Sequence, residues 1–315
     1  MILNLIMVAA GLVILILAGD ALVRGAVNLA LRLGITPLVV SLTVVAFGTS
    51  APELIIAIQA ALEGAPGIAY GNVIGSNIAN VFLVLGVPAA LVAITPEAAK
   101  SRRSYMMMML ATAAFLVSCA FGGLTFWHGV GFLLFLSFIL YDTVQGASAD
   151  AAGEVEDLDT DITGTWIAIF LLLGLVGLPL GAELLIRGGV GIAAAFGMPE
   201  AVIGLTIVAI GTSLPELATT IAAAYRRQAD VAIGNVIGSN IFNILSIMGV
   251  VSLFGALPVP PGIMMLDLLV MLAAALALIP FVYGAVSLTR PIGVAWVLGY
   301  AIYIAVIVGV NTGTT

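Results

Sequence analysis

Two stretches of this chain occur twice at one fixed separation. LTVVAFGTSAPEL (Leu42 to Leu54) returns as LTIVAIGTSLPEL (Leu205 to Leu217), and AYGNVIGSNIAN (Ala69 to Asn80) returns as AIGNVIGSNIFN (Ala232 to Asn243). The offset is constant, since 216 − 53 = 163 and 243 − 80 = 163. Within the blocks, 10 of 13 and 10 of 12 positions are identical, so the chain reads as two copies of one unit. Each copy sets one glutamate, Glu53 or Glu216, inside a long apolar stretch. An ionisable group at membrane depth is expensive and marks an ion or substrate path. Two repeated carboxylates therefore point to a cation pathway.

The surroundings of the glutamates decide the fold class. The 315 residues are 63% hydrophobic and only 8% charged, too few charges to cover a soluble domain of this size. A bilayer span takes roughly 20 apolar residues, which leaves room for about ten. The apolar runs are continuous, not the short alternating segments of a membrane β-barrel. The expectation is an all-α polytopic membrane protein with spans near 3–32, 37–62, 69–93, 104–121 and 124–143, then 164–194, 200–225, 230–254, 264–284 and 291–310. Spans 1 and 6 are long enough to tilt strongly. Ile2 to Ala18 lacks a basic leader and a small-residue cleavage site, so it is read as a retained helix. The predicted division is 1–145, an acidic linker 146–162, and 163–315.

A repeat with an odd number of crossings must start on opposite sides of the membrane. Five spans per half thus predict two inverted five-helix repeats, an architecture that places substrate near the midplane where broken helices meet. Orientation follows the basic residues. With the N- and C-termini outside, Arg32, Lys100, Arg102, Arg103, Arg226, Arg227 and Arg290 all fall on the cytoplasmic side, against Arg187 outside. The linker, with Asp150, Glu154, Glu156, Asp157, Asp159 and Asp161, is then a cytoplasmic, solvated hinge. It lacks the ordered spacing and turn glycine of an EF-hand.

Several functions are excluded. Nine basic residues without a large patch give no nucleic-acid surface. Cys119 and His128 are each the sole residue of their type, which removes an internal disulfide and a Cys/His zinc site. An intramembrane enzyme would need a nucleophile–base pair or metal cluster, and His128 lies outside both repeats, beside Trp127 at the interface. A channel would also use intramembrane carboxylates, but commonly builds its symmetry from several chains.

In GTSAPE and GTSLPE, Pro52 and Pro215 lack an N–H and crowd the preceding turn, while Gly48 and Gly211 loosen it. The helix should break there and free carbonyls near Ala46 and Phe47, and near Ala209 and Ile210, which is tolerated only where they line a cavity or meet an ion. Thr49, Ser50, Thr212 and Ser213 add hydroxyls; Glu53 and Glu216 add charge. In the second block Ser76 with Asn80, and Ser239 with Asn243, share a helix face. Asn72 and Asn235 lie one turn earlier; these two, with Asn77 and Asn240, are candidates for either the site or helix packing. Gly71, Gly75, Gly234 and Gly238 suit close helix approach. Every candidate ligand is oxygen, the donor set of hard cations such as Ca²⁺, with Na⁺ alike in this respect. Asp20 with Arg24 and Glu183 with Arg187 match at the same offset and are read as i, i+4 ion pairs, with gating as the alternative. Met106 to Met109 are read as lipid-facing or packing residues.

At these motifs the chain closely resembles the calcium/cation antiporter superfamily, in its sodium/calcium exchanger branch. GTSAPE with GNVIGSNIAN is similar to that family's first α-repeat, and GTSLPE with GNVIGSNIFN to its second. The resemblance covers roughly 20–86 and 183–249. It implies a central diamond of cation sites holding Ala46, Thr49, Ser50, Glu53, Ser76 and Asn80 with Ala209, Thr212, Ser213, Glu216, Ser239 and Asn243. It also implies alternating access by sliding of spans 1 and 6. Gly-Thr before the glutamate, where the proton-coupled branch typically reads Gly-Asn, favours sodium. Asn243 stands where some members, including potassium-dependent ones, carry Asp, which argues against potassium dependence. The short linker lacks large regulatory domains and implies a prokaryotic inner-membrane protein. The expected function is electrogenic Na⁺/Ca²⁺ antiport that expels Ca²⁺, with no cofactor and no obligate protein partner; a Ca²⁺ (or other divalent cation)/H⁺ antiporter is the alternative.

Overall fold

A computed structural model describes residues 1–95, 98–150, 162–196, 209–259, 265–283 and 286–312. Most of the predicted linker and the start of the span predicted at 200–225 lie outside the described residues. Apart from short β-pairings the described chain is helical. Among the described residues, seven helices are long and apolar enough to cross a membrane, or eight if the bent pair at Pro37–Thr49 and Ala51–Leu62 counts as one. A shorter apolar helical stretch, Leu266–Val282, falls at the span predicted for 264–284.

The first half holds α1 (Ile2–Leu33), α2 (Pro37–Val40), α3 (Ala46–Thr49), α4 (Ala51–Leu62), α5 (Pro66–Ala79), α6 (Gly86–Leu91), α7 (Ala98–Ala120) and α8 (Phe126–Asp150). The second half holds α9 (Gly164–Ala195), α10 (Ala209–Gly211), α11 (Leu214–Tyr225), α12 (Ala229–Ile241), α13 (Met248–Leu253), α14 (Met265–Ala277), α15 (Ile279–Val282) and α16 (Arg290–Thr312). π-Helical turns join α2 to α3 (Ser41–Val45), α5 to α6 (Asn80–Leu85) and α12 to α13 (Phe242–Ile247).

Local chemistry explains the boundaries. Gly34, at φ 63°, takes the left-handed conformation that ends α1 and returns its N–H to Ala30 and Leu31. Pro37 and Pro66 open α2 and α5, where a missing N–H costs nothing.

The continuous helices 66–91 and 229–253 form the interior. Their most apolar stretches are 72% and 89% buried, against 22% for α1 and α9. Around them a core of α5, α7, α8, α12 and the later helices includes Tyr70, Met108, Phe115, Ile237 and Leu245. A separate cluster joins α1 to α9 through Leu15, Ala18, Leu22, Leu178 and Ala182. These two 32-residue helices, each about 48 Å long, pack antiparallel. A Cβ on Gly11 would lie 2.7 Å from the Gly181 carbonyl oxygen, one on Gly174 2.5 Å from Leu22 Cβ, and one on Gly188 2.6 Å from the Asn4 carbonyl oxygen. Low numbers of α1 thus meet high numbers of α9, along a glycine seam that lets the backbones touch.

Two β-clips tie the halves together. β1 (Gly123–Leu124) pairs antiparallel with β2 (Leu257–Pro258), and Ile94 pairs with Leu288. The clips are related by the repeat offset to within one residue, since 257 − 94 = 163 and 288 − 124 = 164. They sit beyond opposite ends of α7.

Candidate cation site

The helix carrying each glutamate breaks at the same residue in both copies. Ser50 has φ −85° and ψ 3°, and Ser213 φ −87° and ψ 6°, so α4 and α11 restart one residue later with a proline in the first turn. In the first copy the helix bends by 45° at this break. Pro52 cannot donate to the Gly48 carbonyl, nor Pro215 to that of Gly211. Both motif glycines also press against α9: a Cβ would lie 2.0 Å from Leu175 Cδ2 at Gly48 and 2.3 Å from Ile186 Cγ1 at Gly211. Glu53 and Glu216 stand in the first turns of α4 and α11, where exposed N–H groups favour negative charge.

The expectation of a freed Ala46 carbonyl is not met in this conformation. That oxygen accepts the Ser50 N–H at 3.1 Å and lies 3.3 Å from the Thr49 hydroxyl. In the second copy the Ser213 N–H goes instead to Ile210 O, at 3.1 Å. Ala209 opens α10, directly after the undescribed residues 197–208.

Glu53, Thr49, Ser50, Ser76, Asn80, Ser213, Glu216, Ser239 and Asn243 are all buried, and Thr212 is half-buried. Contacts across the repeats bring several together. The Ser50 hydroxyl donates to Glu216 Oε1 at 3.2 Å, the Thr49 hydroxyl reaches Asn235 Oδ1 at 3.5 Å, and Asn80 Nδ2 donates to Asn240 Oδ1 at 3.0 Å. Asn80 begins one π-turn and Asn243 lies in another, a local widening common at functional sites.

Buried polar atoms in folded proteins nearly always have partners. Among the described residues, the buried side-chain nitrogens and oxygens without one are Glu53 Oε1 and Oε2, Glu216 Oε2, Asn80 Oδ1, Asn243 Oδ1 and Nδ2, Ser213 Oγ and Ser239 Oγ. Every one belongs to a residue singled out in the duplicated motifs, and both repeats contribute. All but the Asn243 nitrogen are oxygens, so the cluster is a concentration of hard-cation donors. Among the described residues no group of three or more His, Cys, Asp or Glu side chains is placed to hold a metal ion.

Other expectations resolve unevenly. Asp20–Arg24 and Glu183–Arg187 do form, at 3.1 Å and 2.5 Å. Asp20 also accepts from Arg226 Nε at 2.6 Å, which ties α1 to the end of α11, a contact no i, i+4 rule would find. Met106 is exposed, but Met108 is fully buried and its sulfur lies 3.7 Å from Asn240 Nδ2, so this methionine is interior and not lipid-facing. Gly234 and Gly238 do admit a neighbour, Leu38 and Ser41 at the first and Leu42 and Ala46 at the second. At Gly71 and Gly75 a Cβ would meet nothing within 4 Å among the described residues. His128 is half-buried and its Nδ1 accepts the Thr125 N–H at 3.1 Å at the start of α8.

Comparison with known proteins adds a separate line of support. The profile of the family described as "Sodium/calcium exchanger protein" matches residues 3–144 and again 166–309, one match to each half. A putative antiporter, CaxA, of Alkalimonas amylolytica is 39% identical over 87% of this chain and 88% of its own length. Sodium/calcium exchanger MaX1 of Methanosarcina acetivorans is 32% identical over 96% of this chain and 98% of its own. Among solved structures, the sodium-calcium exchanger NCX_Mj soaked with 2.5 mM Na⁺ and 0.1 mM Ca²⁺ superimposes with a TM-score of 0.83 at 32% identity, covering 97% of this chain and 98% of that one. Duplicated motifs, a buried oxygen cluster shared by two halves and these matches lead to one conclusion: this chain is an integral membrane protein of the sodium/calcium exchanger family.

Proposed function

We propose that this protein exchanges Na⁺ for Ca²⁺ across a prokaryotic inner membrane by alternating access, and that it normally expels Ca²⁺ electrogenically. The observation that carries this reading is the set of unpartnered buried donors, all on the duplicated motifs and drawn from both halves. Leaving such groups unpaired costs about 1–3 kcal/mol each, more for charged ones. A bound cation would recover that cost. Glu53 and Glu216 supply −2 of charge, which one Ca²⁺ would neutralise; return with more than two Na⁺ is what makes the cycle electrogenic. Thr49, Ser50, Thr212, Ser213, Ser76, Ser239, Asn80 and Asn243 supply neutral oxygens, with the carbonyls of Ala46 and Ala209 joining after a local rearrangement. A site this costly to leave empty rarely crosses the membrane unloaded, and that is the physical basis of obligatory exchange.

The proposed architecture is ten spans in two inverted five-helix repeats, 1–145 and 163–315 around a cytoplasmic linker 146–162, which would place the site near the midplane. The antiparallel packing of α1 on α9, its equivalent at the repeat offset, and the offset-related clips at opposite ends of α7 support the inversion. Both termini lie outside in this scheme, with the basic loops in the cytoplasm.

The test is radioactive Ca²⁺ uptake into proteoliposomes loaded with Na⁺, compared with liposomes loaded at acid pH without Na⁺. Uptake driven by the outward Na⁺ gradient, and enhanced by an inside-negative-to-positive change of potential in the direction of net charge, is the expected result. Uptake driven only by the H⁺ gradient would replace sodium coupling with proton coupling at the same site. Flux without any counter-ion would replace exchange with a channel.

A further inference from the structure

We propose that Asn72 and Asn235 are positioning residues that hold the two glutamate-bearing helix starts at the cation site. The inference rests on the cation-exchange reading above. Asn72 Nδ2 donates to the backbone carbonyl of Glu53 at 3.1 Å, and Asn235 Nδ2 to that of Glu216 at 3.3 Å. Each amide reaches back 19 residues, to the equivalent atom of the equivalent residue. A carbonyl has two lone pairs, so it can take this amide as well as its own helix partner. The bond is therefore not needed to close the helix. What it does is pin the first turn of α4 to α5, and the first turn of α11 to α12.

That link matters because of what else the second helix carries. Asn72, Ser76 and Asn80 are spaced by four and share one face of the helix, as do Asn235, Ser239 and Asn243. The residue that grips the glutamate backbone thus lies on the face that presents the other donors. It sets the spacing between the carboxylate and the hydroxyl and amide oxygens. A cation site needs that spacing held to about 0.5 Å.

The two copies are not equal. Asn235 is fully buried; its Nδ2 also donates to Thr220 Oγ1 at 3.0 Å and its Oδ1 faces the Thr49 hydroxyl at 3.5 Å. It therefore joins Glu216 to Thr49, a candidate ligand of the opposite repeat. Asn72 is half-buried, and the residue matching Thr220 in its copy is Ala57, which has no hydroxyl. Asn235 should consequently matter more than Asn72.

The experiment measures Na⁺-driven Ca²⁺ uptake and Ca²⁺-dependent thermal stabilisation for wild type, Asn235→Leu, Asn72→Leu and Thr112→Val. Leucine keeps the branched heavy-atom skeleton, at a somewhat larger volume, and removes the hydrogen bonds. Thr112 is a buried residue whose hydroxyl, among the described residues, bonds Met108 O within α7, so it reports a structural loss. For Asn235→Leu the half-saturating Ca²⁺ concentration should rise about 10–100-fold, the range for residues that orient metal ligands. Asn72→Leu should shift it in the same direction by less, and Thr112→Val should leave it unchanged while lowering the melting temperature. Half-saturation and Ca²⁺-dependent stabilisation equal to wild type in folded Asn235→Leu would overturn the proposal. If Asn235→Leu fails to fold, unchanged half-saturation in Asn72→Leu overturns it equally. Absence of both Ca²⁺ uptake and Ca²⁺-dependent stabilisation in wild type would instead overturn the exchange reading, and this inference with it.

Discussion

Replacing Glu216 by glutamine separates the cation site from the fold. Glu216 is buried, one of its oxygens accepts the Ser50 hydroxyl at 3.2 Å, and the other has no partner. Glutamine keeps the shape and an acceptor oxygen while removing one of the two charges. Removing one member of a buried ionic pairing costs about 3–5 kcal/mol. At 1.4 kcal/mol per tenfold, Ca²⁺ affinity should fall by about 100- to 4,000-fold. Wild-type protein in Ca²⁺ at about 100 times its dissociation constant gains about 2.7 kcal/mol of stability. In the variant the same Ca²⁺ would be at or below the new constant, leaving at most about 0.4 kcal/mol by the same relation. In Ca²⁺- and Na⁺-free buffer the sign differs: the variant carries no uncompensated charge at this position, so its melting temperature should equal or exceed that of wild type. Thermal unfolding in detergent with and without Ca²⁺, beside uptake into proteoliposomes, reads both quantities. Wild-type uptake together with a full Ca²⁺-induced rise in melting temperature would refute the assignment of Glu216 to the site.

Glu53→Gln should behave in the same way, because both its oxygens lack partners; retained exchange in this variant would remove Glu53 from the ligand set. Asn243→Asp adds a third carboxylate, so the ion-free protein should melt lower and divalent ions should stabilise it more than in wild type; identical ion-free and Ca²⁺-loaded melting temperatures would contradict this. Asp20→Asn breaks a partly exposed pairing of α1 with Arg226, so stability should change by no more than about 1 kcal/mol, whereas the exchange rate should change if α1 moves during transport; an unaltered rate removes Asp20 from that motion. Gly11→Leu drives a side chain into the α9 backbone and should abolish exchange. Gly131→Ala meets open space within α8 and should be neutral or stabilising by up to about 1 kcal/mol; the two glycine variants are compared by uptake and melting temperature.

What the sequence made legible was what repeats or has a period. Apolar runs located the helices, the proline in each GTSxPE motif located the break, and the duplicated oxygens anticipated the buried cluster. The π-turns at Asn80 and Asn243 were not legible, because the extra residue per turn leaves the hydrophobic pattern unchanged. Neither was the bond from Arg226 to Asp20, which joins residues 206 apart through tertiary packing. The Ala46 carbonyl shows a different limit. Proline arithmetic identifies which N–H is missing, but the Ser50 N–H can still turn back to close the last bond of α3. Asn72 and Asn235 stood out only as amides on the correct face; their carbonyl partners 19 residues away emerge only once α4 packs on α5 and α11 on α12.

The most direct measurement is the position of the ion itself. Crystals of the protein soaked in Ca²⁺, or in Sr²⁺ as a stronger anomalous scatterer, would place it by anomalous diffraction. A peak within roughly 2.3–2.6 Å of carboxylate oxygens from both Glu53 and Glu216, lost on soaking in high Na⁺, is the expected result. A peak touching neither glutamate, or one that persists in high Na⁺, would contradict exchange at a shared two-carboxylate site.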